Sequence, residues 1–346
     1  KNKQKIITDL DLFYLLNPAV KSIVVTGTNG KSTTCKIIEH VLKKNNINVG
    51  LGGNIGSPIL KLNLKKNSLA VIEASSFQLA YSKFIKPNYA IILNVTKDHL
   101  DWHGSMNSYV QSKLKIFSLQ ERDNFAFVNS KKLLKKFRKN KYISKIKFIN
   151  HKKYQKIKNK IENDYLNLEV NEENMSFVYA LSKTLKIKEK SFIKSLKSFR
   201  GLKHRHEIFY KKNNKIFIND SKATSFTASR FALKNNKNIL WIVGGLPKIG
   251  DRFQLEEVKK NIIKAYVIGK YAGHFKRFLK GKINFESCKT LNNAVDLIFK
   301  YIKDSRERKI TVLLSPASAS YDQFKNFGDR GEKFKKLIKN YTKKYF

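Results

Sequence analysis

An apolar run, Ile23-Val24-Val25, leads straight into Thr26-Gly27-Thr28-Asn29-Gly30-Lys31-Ser32-Thr33-Thr34, and few arrangements accommodate that passage. The β-branched run asks for a buried strand. The glycines ask for a tight turn, and the polar Ser/Thr/Lys stretch opens a helix. Glycine lets backbone N–H groups come close to phosphate oxygens, and a helix N-terminus favours negative charge. A lysine at this place is a mobile cation, and a Ser or Thr hydroxyl can hold Mg²⁺. Gly27, Thr28, Asn29, Gly30, Lys31, Ser32 and Thr33 are therefore candidate phosphate-binding residues, with Ser32 also a candidate metal ligand. The commonest phosphate-loop pattern places Gly five residues before Gly30, where this chain has Val25, so the spacing is that of a variant.

The pattern around this passage repeats. Apolar runs at residues 22–26, 69–73 and 90–95 alternate with polar helical stretches such as 32–44, which predicts an α/β fold with a mostly parallel sheet. Ligands on such sheets sit beyond the carboxyl ends of the strands, where the chemically distinctive residues of this chain fall. The Lys-rich residues 131–165 carry little pattern and read as surface strands and loops; residues 171–185 and 189–198 read as helices. Phe199-Arg200-Gly201-Leu202 breaks the pattern. A second α/β series follows, with strands from Ile208 and at 215–219, 239–243, 264–268 and 310–314.

Composition narrows the class. The 346 residues, 41% hydrophobic, suffice for two domains with their own cores. The longest apolar runs fall far short of the ~20 residues of a membrane span, and residues 1–10 lack the apolar stretch of a secretory signal. The cytoplasm is the expected location. Two cysteines, Cys35 and Cys288, are too few for a disulfide framework. The 71 basic against 26 acidic residues, net +45, would suit a nucleic-acid binder, but the lysines are spread along the chain with Asn and Ile rather than gathered in one arm. No nucleic-acid partner is expected, and the field would draw in anionic small molecules.

Several segments together resemble the Mur ligase family. The phosphate loop is similar to that of Mur ligases and of folylpolyglutamate synthetase. Glu73-Ala74-Ser75-Ser76-Phe77-Gln78-Leu79, Asn94-Val95-Thr96-Lys97-Asp98-His99-Leu100-Asp101 and Asn219-Asp220-Ser221-Lys222-Ala223-Thr224 resemble the segments of the branch that adds D-glutamate. So does Leu314-Ser315-Pro316-Ala317-Ser318-Ala319-Ser320-Tyr321-Asp322-Gln323-Phe324-Lys325-Asn326-Phe327-Gly328-Asp329-Arg330-Gly331, which other branches lack.

The resemblance implies a central ATP-binding domain over residues 15–199 and a Rossmann-like, amino-acid-binding domain over 200–346. Residues 1–14 would be the remnant of a linker from a further UDP-binding domain, of roughly a hundred residues, that is expected before the phosphate loop and not found here. It implies ATP, two Mg²⁺ and a carbamylated lysine as cofactors. The substrates would be UDP-N-acetylmuramoyl-L-alanine and D-glutamate, and the state a monomer. Metal ligands would be Ser32, Glu73, His99 and Lys113 as its carbamate, with Lys115 left open as the modified lysine. Lys31, Lys113, His99 and Lys222 would be catalytic. Asn174, Arg205 and Asp220 would reach the nucleotide. Asn54, Ser75, Lys222, Thr224, Lys248, Ser320, Tyr321 and Phe327 would face the substrates. Because these residues come from both domains, closure about residue 200 would assemble the site. Departures from the family pattern at Lys97, Val170, Tyr321 and the loop ending in Lys248 keep a ligase with another acceptor, such as L-glutamate, as an alternative; a non-catalytic nucleotide- or nucleic-acid-binding module is the other.

Overall fold

The computed structural model describes residues 6–65, 67–248, 250–251, 253–305 and 309–345. The chain separates into two compact units, Lys1–Arg200 and Gly201–Phe346.

The first unit is built on strands β1 (Lys21–Thr26), β2 (Val49–Gly53), β3 (Leu69–Glu73), β4 (Tyr89–Ile92), β5 (Phe125–Val128) and β6 (Lys145–Phe148). They form one parallel sheet in the order β2-β3-β1-β4-β5-β6. Its helices are α1 (Asp9–Leu16), α2 (Lys31–Lys44), α3 (Ser76–Tyr81), α4 (Leu100–His103), α5 (Met106–Leu114), α6 (Lys131–Lys139), α7 (His151–Lys158), α8 (Asp164–Asn167), α9 (Glu172–Thr184) and α10 (Glu189–Leu196). Ile23, Val24, Val25, Ala70, Val71, Ile72, Ala90, Ile91 and Ile92 are all but inaccessible, as strands covered on both faces should be. β1 lies between β3 and β4, so the chain changes direction across the sheet on either side of it. This opens a crevice at the carboxyl ends of these strands.

The second unit holds β7 (Glu207–Lys212), β8 (Lys215–Asn219), β9 (Ile239–Gly244), β10 (Ile262–Ile268), β11 (Phe285–Lys289) and β12 (Ile310–Leu314), with α11 (Phe226–Asn235), α12 (Ala272–Leu279), α13 (Leu291–Asp304) and α14 (Phe327–Tyr345). Its sheet runs β11-β10-β9-β12-β8-β7, parallel except for the edge hairpin β7–β8. One face packs Leu240, Ile242, Val295, Ile298 and Phe334 together, and the other packs Trp241, Val243, Leu233 and Phe275.

Two expectations change. Residues 131–165 hold two helices, one strand and the start of α8 rather than surface strands and loops. Leu133, Phe137, Tyr154 and Ile157 are apolar anchors among the lysines and are buried beneath them. Residues 9–14, read as part of a linker, belong to α1. Leu10, Phe13 and Tyr14 are buried in the first unit's core, and the inaccessible Asp11 carboxylate accepts from the N–H groups of Lys83 and Phe84 at 2.8 Å each. Both cysteines are buried free thiols.

Candidate active site

The loop between β1 and α2 turns at Gly30, whose φ of +83° lies in the left-handed region. A Cβ there would meet Asn174 Oδ1 at 2.1 Å, so conformation and space both require glycine. The loop is held from the next strand's end. Thr28 N donates to Asn94 O and Asn29 N to Asn94 Oδ1, each at 2.9 Å. The Lys31 ammonium folds back to donate to Gly27 O and Thr28 O, both at 2.9 Å. Ser32 and Thr33 are buried in the first turn of α2, where the helix dipole gives a positive end facing the loop. Asn174, expected at the nucleotide base, is buried beneath the loop with both ends engaged: its Oδ1 accepts from Thr34 Oγ1 at 3.2 Å and its Nδ2 donates to Asn171 Oδ1 at 3.3 Å.

Glu73 closes β3, one strand over from the loop, with 1% of its surface exposed. Asn54 Nδ2 donates to Glu73 Oε1 at 3.0 Å, while Oε2 is buried without a hydrogen-bond partner. A buried carboxylate oxygen left unpaired is costly, and a cation at that oxygen would remove the cost. Asn54, expected to face substrate, thus also holds Glu73. Ser75, another expected substrate residue, caps α3 and accepts from Gln78 N at 3.2 Å. His99 sits at a left-handed φ of +50° before α4, its Nε2 3.3 Å from Asp98 Oδ2 and its ring edge-on to Phe77.

The two candidate lysines, Lys113 in the last turn of α5 and Lys115 just beyond it, separate here. Lys115 Nζ donates to Ala80 O, away from the loop. Lys113 is 1% exposed; its Nζ donates to Gly27 O of the phosphate loop at 2.9 Å and lies 4.5 Å from the centre of the Tyr109 ring. Burial, joined by the nearby Lys31 charge and opposed by Asp98, lowers the Lys113 pKa to about 7. Tyr109 is itself buried, and its hydroxyl is 3.1 Å from Thr28 Oγ1, so one aromatic ring braces both the lysine and the loop. Among the described residues no three His, Cys, Asp or Glu side chains gather as a ready metal site. A carbamate on Lys113, the Glu73 carboxylate and the Ser32 hydroxyl would together offer the hard oxygen donors Mg²⁺ prefers, and the fit depends on that modification.

In the second unit Asp220 follows β8. Its buried carboxyl accepts from His206 N at 3.0 Å and Ser315 Oγ at 2.7 Å, and burial, against these bonds and the Arg205 charge, pushes its pKa up to about 7. Lys222 Nζ lies 4.0 Å from the centre of the Phe327 ring, which brings two expected substrate residues together. Ser320 is buried and Thr224 half-buried, whereas Lys248 and Tyr321 are exposed, Tyr321 at 72%. That exposure sets Tyr321 apart from Ser320 and Phe327, with which it was expected to line a pocket. An exposed tyrosine costs this fold little, which accommodates the departure from leucine.

Residues 25–193 match the model of the Mur ligase middle domain. The chain is 36% identical to the UDP-N-acetylmuramoylalanine–D-glutamate ligase of Rickettsia prowazekii, over 97% of this chain and 80% of that protein. The enzyme of the same name from a Wolbachia of Brugia malayi is also 36% identical, over 96% and 78%. This chain belongs to the UDP-N-acetylmuramoylalanine–D-glutamate ligase family. Solved Mur ligases share the fold at lower identity. MurF of Thermotoga maritima in complex with ADP gives a TM-score of 0.68 at 16% identity, covering 96% of this chain and 84% of that one. MurF of Acinetobacter baumannii gives 0.69 at 17%, covering 96% and 78%.

Two residues that brace these segments, one in each unit, escaped the sequence reading. Asn94 stands in a recognised segment, but its pairing with the loop depends on β4 lying beside β1. Arg330, with no exposed surface, donates through Nε to Ser221 Oγ at 3.0 Å and through Nη2 to Ser221 O at 2.8 Å and Ser318 O at 3.0 Å. It ties the segment after β8 to the segment after β12. Arg330 too stands in a recognised segment, but its bonds to Ser221 depend on β12 lying beside β8.

Proposed function

We propose that this chain is an ATP-dependent amide ligase of peptidoglycan synthesis that joins D-glutamate to UDP-N-acetylmuramoyl-L-alanine. The observation that carries the catalytic part is Lys113, a buried amine with its pKa lowered to about 7 and hydrogen-bonded to the phosphate loop, in the same unit as the buried, half-satisfied Glu73 carboxylate that ends the strand next to β1. A neutral amine adds CO₂ to form a carbamate, and that converts a cation into an anion where a metal needs one. Identity over nearly the whole chain to enzymes named for adding D-glutamate supports the substrate assignment.

On this reading the acceptor's carboxylate oxygen attacks the γ-phosphorus of ATP, the bond to the bridging oxygen breaks, and ADP leaves. The D-glutamate nitrogen then attacks the acyl carbon. The tetrahedral intermediate loses phosphate, the nitrogen gives up a proton, and the amide remains. Both steps concentrate negative charge. Lys31 exchanges its contacts to Gly27 O and Thr28 O for phosphate oxygens, and the first turn of α2 donates N–H groups to the same oxygens. Mg²⁺, two of which are assigned to this site, would polarise the γ-phosphate and neutralise its charge when held by Ser32, Glu73, His99 and carbamylated Lys113. Asn54 keeps the Glu73 carboxylate in place, and Tyr109 does the same for Lys113. Asn54 and Ser75 are assigned to the acceptor. In the second unit Arg205 and Asp220 are assigned to the nucleotide, and Lys222, Thr224, Lys248, Ser320 and Phe327 to D-glutamate. Asn174 is assigned to the support of Gly30. The protein acts as a monomer in the cytoplasm, where ATP is supplied; among the described residues no helix is long and apolar enough to cross a membrane.

The test is isotopic. With ¹⁸O in the acceptor carboxylate, one ¹⁸O per turnover should appear in the released phosphate. Turnover without that transfer refutes the acyl-phosphate route, and equal use of L-glutamate refutes the assigned amino acid.

A further inference from the structure

We propose that Glu173 is a positioning residue for the nucleotide loop, acting through Asn94 to fix the Asn29 peptide; the proposal rests on the reading of that loop as the ATP site. Asn94 follows β4, and its side-chain amide pairs with both polar groups of one residue. Asn29 N donates to Asn94 Oδ1 at 2.9 Å, and Asn94 Nδ2 donates to Asn29 O at 3.2 Å. This arrangement has one sense only. Flipping the amide would set N–H against N–H and oxygen against oxygen, losing both bonds. The sense must therefore be held, and the second N–H of Asn94 Nδ2 shows how: it donates to Glu173 Oε2 at 2.5 Å. Glu173 Oε1 in turn accepts from Asn129 Nδ2 at 2.6 Å.

Glu173 thus receives one N–H from each of two amides, each just beyond the carboxyl end of a neighbouring strand, β4 and β5. A carboxylate can accept from both without offering a donor to either, and bonds to a charged acceptor are the stronger kind. The chain of contacts runs from α9 through Asn94 to the peptide next to Gly30, with Asn94 O also accepting from Thr28 N at 2.9 Å. Its consequence is a loop held in one shape before nucleotide arrives, so that binding does not have to order it.

Glutamine separates this role from a need for charge. In Glu173→Gln the amide oxygen can still accept from Asn94, and Asn129 can flip to accept from the amide nitrogen. In Glu173→Ala, Asn94 loses its second acceptor and its orientation is no longer held.

Two measurements on the full chain decide the matter: hydrogen exchange of the Thr28 and Asn29 amides without nucleotide, and ADP binding by calorimetry. Removing a bond to a charged acceptor is worth about tenfold or more. Glu173→Ala should therefore speed exchange at both amides and weaken ADP binding by about that factor, while amides in β9 and β12 of the other unit stay as in the wild type. Glu173→Gln should recover most of both losses, and Asn129→Ala, which leaves the Glu173–Asn94 bond in place, should show a smaller effect. If Glu173→Ala folds poorly, the Gln and Asn129 variants carry the test. Wild-type exchange and affinity in Glu173→Ala would overturn the proposal, as would losses in Glu173→Gln equal to those in Glu173→Ala. Absence of ADP binding by the wild type would count against the ATP reading instead, and exchange would still decide the role of Glu173.

Discussion

Lys113 should load with CO₂ at a pH where ordinary lysines do not. Only the neutral amine reacts, so the neutral fraction sets the loading. With a pKa of about 7, Lys113 is about nine-tenths neutral at pH 8, whereas a lysine at the ordinary 10.5 is about 0.3% neutral, a difference of roughly three hundredfold. The shift has named causes: burial first, then the Lys31 charge. Carbamylation leaves one N–H on the nitrogen, so the bond to Gly27 O can persist. ¹³C NMR of the protein in ¹³C-bicarbonate, titrated from pH 6 to pH 9, should show, besides the carbamate of the terminal amine, a carbamate resonance that declines as pH falls through about 7 and is missing from Lys113→Met. Lys31→Ala removes a like charge, raises the Lys113 pKa and should move this decline to higher pH. A carbamate spectrum unchanged by Lys113→Met would refute the reasoning.

Three further outcomes follow from packing and burial. Gly30→Ala forces a side chain into the left-handed region and against Asn174, and should cost at least about 1–2 kcal/mol, read as a lower urea midpoint, together with weaker ADP binding. Arg330→Ala strands the acceptors on Ser221 and Ser318 and should cost roughly 3 kcal/mol or more in urea unfolding, whereas Arg330→Lys should cost less. Asp220 binds its proton more tightly folded than unfolded, its pKa rising from 3.8 to about 7. Its stabilising contribution is therefore full below about pH 4, lost as pH rises to about 7 and flat above, and Asp220→Asn should remove this slope from the stability profile.

What could be read from sequence is what is local along the chain. The β1–loop–α2 passage announces itself because the strand, the turn glycine and the helix start are consecutive, and Gly30 must adopt a conformation few other residues accept. The alternation of apolar runs with polar helices likewise marks a parallel sheet. The helices α6 and α7 were hidden, since lysine at most positions masks the few buried anchors that fix each face. Contacts made by topology were hidden as well. Asn94 meets Asn29 because β4 lies next to β1, and Glu173 meets both Asn94 and Asn129 because α9 lies by the ends of β4 and β5. Spacing along the chain encodes none of these. Burial decides two others: a motif gives no sign that Asn174 is enclosed under the loop, or that Tyr321 stands in solvent.

The most direct test of the central claim is phosphate release from ATP by this chain with UDP-N-acetylmuramoyl-L-alanine, comparing D-glutamate, L-glutamate and no amino acid, in the wild type and in Lys31→Ala. The account predicts release that requires D-glutamate, is matched mole for mole by amide product, and is lost in Lys31→Ala. Release indifferent to the amino acid, or undiminished without the Lys31 ammonium, would contradict it.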